Sequence, residues 1–254
     1  ALGLIQKGEI VAIKGLGGYH LACDATQGDA VARLRTLKHR DRKPFALMAR
    51  DLAVIRAYAA VGPEEEAALA SPAGPIVLLR AAGDKRLPDA VAPGLSTLGF
   101  MLPTTPLHAL LLRRMGRPVV MTSGNISNAP QVISDADARE KLAAIAPFAL
   151  VHDRDILNRV DDSVVRFAAG SVRALRRSRG HAPAPVRLPH GFESAPHLLA
   201  LGGDLKSAFC MVKSGNAVLS HHIGDLDDAE TFDDLTRTIG LFREMLAVSP
   251  RAIV

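Results

Sequence analysis

The chain has no tryptophan and only 4% aromatic residues, so its core must be filled mostly by Leu, Val, Ile and Ala. The same scarcity argues against base stacking as a way of holding nucleic acid. Only two cysteines occur, Cys23 and Cys210. Two make no disulfide framework and their spacing fits no zinc motif, so they read as buried, reduced thiols of a cytoplasmic protein, with no metal ligands. No apolar run reaches the roughly 18–20 residues of a membrane helix, and no signal-peptide pattern opens the chain. Acid is nearly missing from two stretches. Residues 33–43 carry Arg33, Arg35, Lys38, Arg40, Arg42 and Lys43 against Asp41 alone, and residues 166–187 carry six arginines and no acid.

What is present bounds the fold. A chain of 254 residues with 48% hydrophobic and 22% charged residues suits one large domain, or one domain and part of another. The net charge of +5 favours anionic partners. The acidic segment 224–234 is the exception. The chain enters a strand-like segment soon after Ala1 and ends in one at Val254, which suggests an excised piece.

Short β-branched runs alternate with helical patterns. Strands are expected at 9–13, 45–48, 75–79, 98–102, 118–121, 150–152, 163–167 and 172–176. Helices are expected over 28–38, from Asp51, from Pro63, over 106–114 and from Ser134. Some connections are short enough for hairpins, which predicts an open, twisted, mixed α/β sheet over 1–187. A Pro-rich linker is expected at 188–197, and 198–254 reads as a partial second α/β lobe with one amphipathic helix from Phe232 to Ala247.

Two polar clusters carry chemistry. Lys38-His39-Arg40 comes after a helix and precedes Lys43-Pro44. Lys meets phosphate oxygens as a point charge and Arg as a fork. Extended chain after the helix would point Lys38 and Arg40 the same way. The plain alternative is a solvated basic helix end. Thr122-Ser123-Gly124-Asn125 comes after a buried strand, where α/β sheets usually bind ligands, though it also suits an ordinary turn.

Together, Leu37-Lys38-His39-Arg40 with Lys43-Pro44 and Thr122-Ser123-Gly124-Asn125 resemble the K-x-R and S-x-N signature of the YrdC family. Lys14-Gly-Leu-Gly-Gly-Tyr-His-Leu-Ala-Cys-Asp24, Met101 to His108, His152 to Ile156, Arg159 to Val164 and Leu219 to Asp225 resemble its HypF-type carbamoyltransferase branch. The resemblance covers nearly the whole chain. It implies a concave basic cleft in which ATP and a carbamate derived from carbamoyl phosphate form carbamoyl-adenylate and pyrophosphate, on the way to the cyanide ligands of NiFe hydrogenase. By resemblance Lys38, Arg40, Ser123 and Asn125 hold the phosphates, with Lys38 and Arg40 as the catalytic groups, and Thr122 and Arg179 are further candidates for binding the nucleotide. Lys14 and His20 bind the carbamoyl group. Mg²⁺ bridges the phosphates with few protein ligands.

The threonylcarbamoyl-adenylate branch carries an acidic, threonine-rich first loop, which Lys14 to Leu21 replaces here. Ala129-Pro130 departs from the acid usual before that proline in HypF-type chains. Full HypF-type chains also have an acylphosphatase domain and zinc fingers upstream, and metal-binding histidines beyond this segment. This segment is therefore expected to lack carbamoyl-phosphate hydrolysis and transfer to a HypE-like acceptor protein. Gly202-Gly203-Asp204 and Lys206 resemble the start of the transferase nucleotide site, with weak or no binding expected. His221-His222 is read as no metal site, since adjacent side chains diverge. Asp161-Asp162-Ser163 fits a cleft residue or a strand-start cap, and Arg177 and Arg179 fit a nucleotide clamp or a charged edge strand. The alternatives are a threonylcarbamoyl-AMP synthase and a double-stranded RNA-binding module.

Overall fold

A computed structural model describes residues 1–126 and 129–254. The chain divides into two compact units: Ala1–Arg159 with Ser163–Leu175, and Val160–Asp162 with Arg176–Val254. Residues 176–187, which the sequence groups with the first domain, thus pack in the second unit.

The first unit holds β1 (Val11–Lys14), β2 (Tyr19–Asp24), β3 (Ala46–Met48), β4 (Ile76–Arg80), β5 (Thr97–Met101), β6 (Val119–Ser123), β7 (Phe148–Leu150), β8 (Val164–Ala168) and, up to Leu175, β9 (Ser171–Arg176). They form one nine-stranded sheet in the order β7-β1-β2-β6-β3-β5-β4-β8-β9. The sheet is mixed: β1·β7, β3·β5 and β4·β8 are parallel, while β1·β2, β2·β6, β3·β6 and β4·β5 are antiparallel.

Among the described residues, six α-helices complete this unit: α1 (Leu2–Gln6), α2 (Gly28–Leu37), α3 (Leu52–Arg56), α4 (Pro63–Ala70), α5 (Pro106–Leu112) and α6 (Asp135–Lys141). Alternate strand residues feed two cores. Ala12, Leu21, Leu47, Phe100 and Val120 join Val31 and Leu34 of α2 and Ile55 of α3. Val11, Ile13, Met48 and Met121 join Ile5 of α1 and Leu112 of α5. Helices therefore cover both faces, and β1 and β2 are buried along their whole length. Cys23 lies in the first of these cores, where burial pushes its thiol up to about 12. Helix starts obey local chemistry: Asp51 accepts from the Val54 amide (2.9 Å), Thr105 from the His108 amide (3.2 Å) and Ser134 from the Asp137 amide (3.0 Å).

The second unit has β10 (Val186–Arg187), β11 (Leu198–Leu201), β12 (Phe209–Lys213), β13 (Asn216–Leu219), β14 (Ala252–Ile253) and α7 (Ala229–Leu246). Its sheet runs β10-β13-β12-β11-β14. The β12–β13 turn places Ser214 at φ 49° and Gly215 at φ 71°, the two positive angles that suit a tight hairpin. α7 packs Leu235 and Phe242 onto Leu199, Phe209 and Met211. The Pro-rich 188–197 stretch comes directly after β10, which pairs with β13. Cys210, on β12, is a half-buried free thiol.

Candidate functional site

β6 sits between β2 and β3 in the first sheet and carries Thr122 and Ser123 as its last residues, paired with Leu21 and His20 of β2. The strand thus runs two residues further than its apolar run. Thr122 is buried. At Gly124 the chain turns against β2. Its amide donates to the Tyr19 carbonyl (2.6 Å), and its carbonyl accepts from the Val132 amide (2.9 Å). A Cβ here would lie 2.7 Å from the Tyr19 carbonyl oxygen, so only glycine permits this approach. The turn sets Asn125 beside Ser123, whose Oγ donates to Asn125 Oδ1 (2.8 Å). Asn125 Nδ2 in turn donates to the Ala129 carbonyl.

Lys38 arrives from the end of α2. It is 1% exposed, and its ammonium donates to the Ser123 carbonyl (2.7 Å), the Asn125 carbonyl (2.6 Å) and Asn125 Oδ1. Ser123 Oγ lies 3.5 Å away. The two sequence clusters therefore meet through this one side chain. Burial first, then the neighbouring charges of Arg40 and Lys43, lowers its pKa to about 7.

Arg40 leaves the same turn in another direction. His39 takes a left-handed φ of 52°. The Arg40 amide then returns to the Arg35 carbonyl (3.0 Å) and the His39 amide to the Thr36 carbonyl (3.1 Å), which closes the helix as a Schellman cap. This cap replaces the extended exit expected from the sequence, so Lys38 and Arg40 do not share a direction. The Arg40 guanidinium donates to the Lys43 (3.1 Å) and Pro44 (2.9 Å) carbonyls and lies 5.4 Å from the centre of the Phe45 ring.

Lys14 ends β1 and is 2% exposed. Its ammonium pairs with Asp135 Oδ1 (2.7 Å) and donates to the His152 carbonyl (3.1 Å). The Tyr19 hydroxyl donates to the same carboxylate oxygen (2.6 Å). Asp135 is thereby held below the ordinary carboxylate range by its bonds from Lys14 and Tyr19, while burial and that carboxylate push the Tyr19 hydroxyl up. Between Lys14 and Tyr19, the glycine loop fits closely. A Cβ on Gly15 would meet His20 Nδ1 at 2.7 Å, and one on Gly18 would meet Gln131 at 2.3 Å. His20 is buried, its ring edge-on to His108 at 5.9 Å between centroids, and His108 Nδ1 lies 3.4 Å from Thr104 Oγ1.

Asp135, at the start of α6, and His108, in α5, both owe their contacts to chain crossings that no local sequence pattern announces. Asp24, within the first-loop motif, is fully buried and accepts from Thr26 Oγ1 (2.7 Å) and Arg117 (2.6 Å), which is a structural role.

Arg179 belongs to the second unit, where its Nε (3.0 Å) and Nη2 (2.8 Å) donate to Asp162 Oδ1. Beside it, Asp161 accepts from His222 Nδ1 (3.0 Å) and pairs with Arg176 (3.4 Å). Arg177 donates to the Leu219 carbonyl (3.1 Å). The Lys206 amide donates to Asp225 Oδ1 (2.7 Å). Among the described residues, no group of three or more His, Cys, Asp or Glu side chains converges on a metal position. No helix among them is long and apolar enough to cross a membrane.

The family model of Sua5, YciO and YrdC, described as telomere recombination, matches residues 3–178. A second model, the HypF Kae1-like domain, matches residues 193–254. The carbamoyltransferase HypF of Rhodobacter capsulatus is 51% identical over 257 residues, which is 100% of this chain and 34% of that protein. A threonylcarbamoyl-AMP synthase of Alkalilimnicola ehrlichii is 32% identical over 143 residues, covering 56% of this chain and 75% of that protein. Among solved structures, full-length HypF in the phosphate- and nucleotide-bound form superposes with a TM-score of 0.94 and 46% identity, over 99% of this chain and 40% of that one. The chain spans about a third of the length of the HypF proteins it matches. With both family models matched in sequence and the fold shared, the chain belongs to the Sua5, YciO and YrdC family, in its HypF carbamoyltransferase branch.

Proposed function

We propose that this chain forms carbamoyl-adenylate from ATP and carbamate. The observation that carries the reading is the Lys38 ammonium, buried and gripped by Ser123 and Asn125. A buried amine that phosphate would hold in its ammonium form, beside a hydroxyl and an amide, suits the triphosphate of ATP, which brings about four negative charges to be neutralised. The nucleotide-bound state of the HypF structure supports a nucleotide as ligand.

In this reading a carbamate oxygen attacks the α-phosphorus. The new O–P bond forms as the bond to the β-phosphate bridging oxygen breaks, and pyrophosphate leaves with that electron pair. Lys38, Arg40, Thr122, Ser123 and Asn125 hold and neutralise phosphates. Lys14 and His20 receive the carbamate. Catalysis is then positioning and charge compensation, and no covalent enzyme intermediate is needed. Asn125 Oδ1 already accepts from the Lys38 ammonium and Ser123 Oγ, so a Mg²⁺ ion would take its ligands mostly from phosphate and water. It would supply further charge neutralisation. In the full-length protein the adenylate would pass to the next domain and then to a HypE-like acceptor, in the cytoplasm, toward the cyanide ligands of NiFe hydrogenase.

A second reading is threonylcarbamoyl-AMP synthesis, favoured by the identity to the synthase named above. ATP–pyrophosphate exchange separates the two. Exchange that depends on carbamate and ignores threonine supports the first. Exchange that requires threonine with bicarbonate selects the second. No exchange with either acyl donor, by a chain that binds ATP, would remove adenylation altogether. RNA binding with a steep salt dependence and no response to ATP would replace both with a nucleic-acid role.

A further inference from the structure

We infer that Arg35 is a positioning residue for the phosphate-binding turn: it sets Arg40 and Lys43 by holding their backbone carbonyls. The inference rests on the nucleotide reading of that turn.

Arg35 lies in the last turn of α2, three residues before Lys38. One edge of its guanidinium donates to the Arg40 (2.6 Å), Lys43 (3.2 Å) and Asp41 (3.3 Å) carbonyls through Nη1. The other edge donates to the Ala90 carbonyl through Nε (2.9 Å) and Nη2 (2.6 Å). Its face stacks on Phe45 at 4.6 Å, the ring that Arg40 also covers. Ala90 is in the short 3₁₀ turn Asp89–Val91, and the Val91 carbonyl in turn accepts from the Phe45 amide (2.9 Å). One planar group thus joins the helix end, the 40–43 turn and the start of β3.

The turn needs such a tie. Residues 41–44 are exposed, and Arg42 and Lys43 in this stretch, with the half-buried Arg40 before it, are like charges that Asp41 alone offsets. Lys38 is fixed independently by Ser123 and Asn125. Loss of Arg35 should therefore spare Lys38 and act on Arg40 and Lys43. A lysine cannot replace it, because a single ammonium has no two-edged planar fork to bridge Ala90 and Arg40.

The test compares wild type, Arg35→Ala, Arg35→Lys and Arg33→Ala in the full 254-residue chain, each checked for folding by its melting transition. Arg33 is the charge-matched control, since it donates to the Gly8 carbonyl (2.5 Å) instead of to the turn. ATP affinity is measured by calorimetry, and KM for ATP and kcat by pyrophosphate exchange. Both Arg35 variants should bind ATP about ten-fold more weakly, the scale of one charge-assisted contact. KM should rise by a similar factor while kcat stays within about three-fold. Arg33→Ala should match wild type. A loss of folded fraction would instead lower kcat and leave KM alone. Folded Arg35 variants with wild-type affinity, or an equal loss in Arg33→Ala, would overturn the inference. If wild type itself fails to bind ATP, the nucleotide reading falls and the inference goes with it.

Discussion

Replacing Lys38 by methionine should separate stability from activity. Burial and neighbouring charge lower the Lys38 pKa from 10.5 to about 7. At about 1.4 kcal/mol per pH unit, the fold disfavours the ammonium by roughly 5 kcal/mol, of which about 3 kcal/mol opposes folding at pH 8. Against this, the variant leaves the Ser123 and Asn125 acceptors without their donor, at a cost of roughly 1–3 kcal/mol. Lys38→Met should therefore be as stable as wild type at pH 8 or up to about 2 kcal/mol more stable. The pH profile gives the sign. The folded pKa lies below the unfolded one, so the unfolded chain binds more protons between about pH 7 and 10.5, and wild-type stability should rise across that window. The variant should lack this rise. Exchange, in contrast, should fall about 10- to 150-fold through loss of roughly 1.5–3 kcal/mol at the transition state. Urea unfolding from pH 7 to 10 and pyrophosphate exchange with carbamate are the assays. A variant clearly less stable at pH 8 would refute the account of Lys38 as a buried charge held at a cost in stability. Undiminished exchange would refute its place in the site.

Gly124→Ala should lower stability by roughly 1–3 kcal/mol, because its Cβ would meet the Tyr19 carbonyl oxygen at 2.7 Å; an unchanged melting temperature would show that the turn relaxes freely. Asp135 has its folded pKa depressed by Lys14 and Tyr19, so its contribution is present above the ordinary carboxylate range and is lost as pH falls through the depressed value. Asp135→Asn should remove that part of the acid loss, read as a flatter stability profile below about pH 4. At pH 8, ATP binding should draw close to one proton onto Lys38, since phosphate favours the ammonium; calorimetry in buffers of different ionisation enthalpy should show this uptake in wild type and not in Lys38→Met.

The elements with a strong local signature were legible. The apolar spacing of Ala30, Val31 and Leu34 matches the buried face of α2, and Asp51, Thr105 and Ser134 start their helices with side-chain caps. β2 was not legible. Tyr19 to Asp24 is buried on both faces, so it carries no alternation of apolar and polar residues to mark it as a strand. The same double coverage explains why Asp24 and His20 look like surface chemistry in the sequence and are interior residues in the fold.

The site was legible as residue types and only partly as geometry. A lysine after a helix and a Ser-Gly-Asn turn after a strand imply phosphate chemistry, but their meeting depends on β6 pairing with β2 while α2 ends beneath it, across a separation of 85 residues. The direction of Arg40 depended on one backbone angle. A left-handed His39 closes the helix and turns the chain, and histidine is not the residue that announces this conformation, as glycine would. The two basic groups therefore divide the labour. Lys38 is a buried charge with fixed partners, while Arg40 and Lys43 sit on an exposed turn shaped by Arg35 and Phe45. Substitutions in the buried part should alter the chemical step, and substitutions in the turn should alter affinity for the nucleotide.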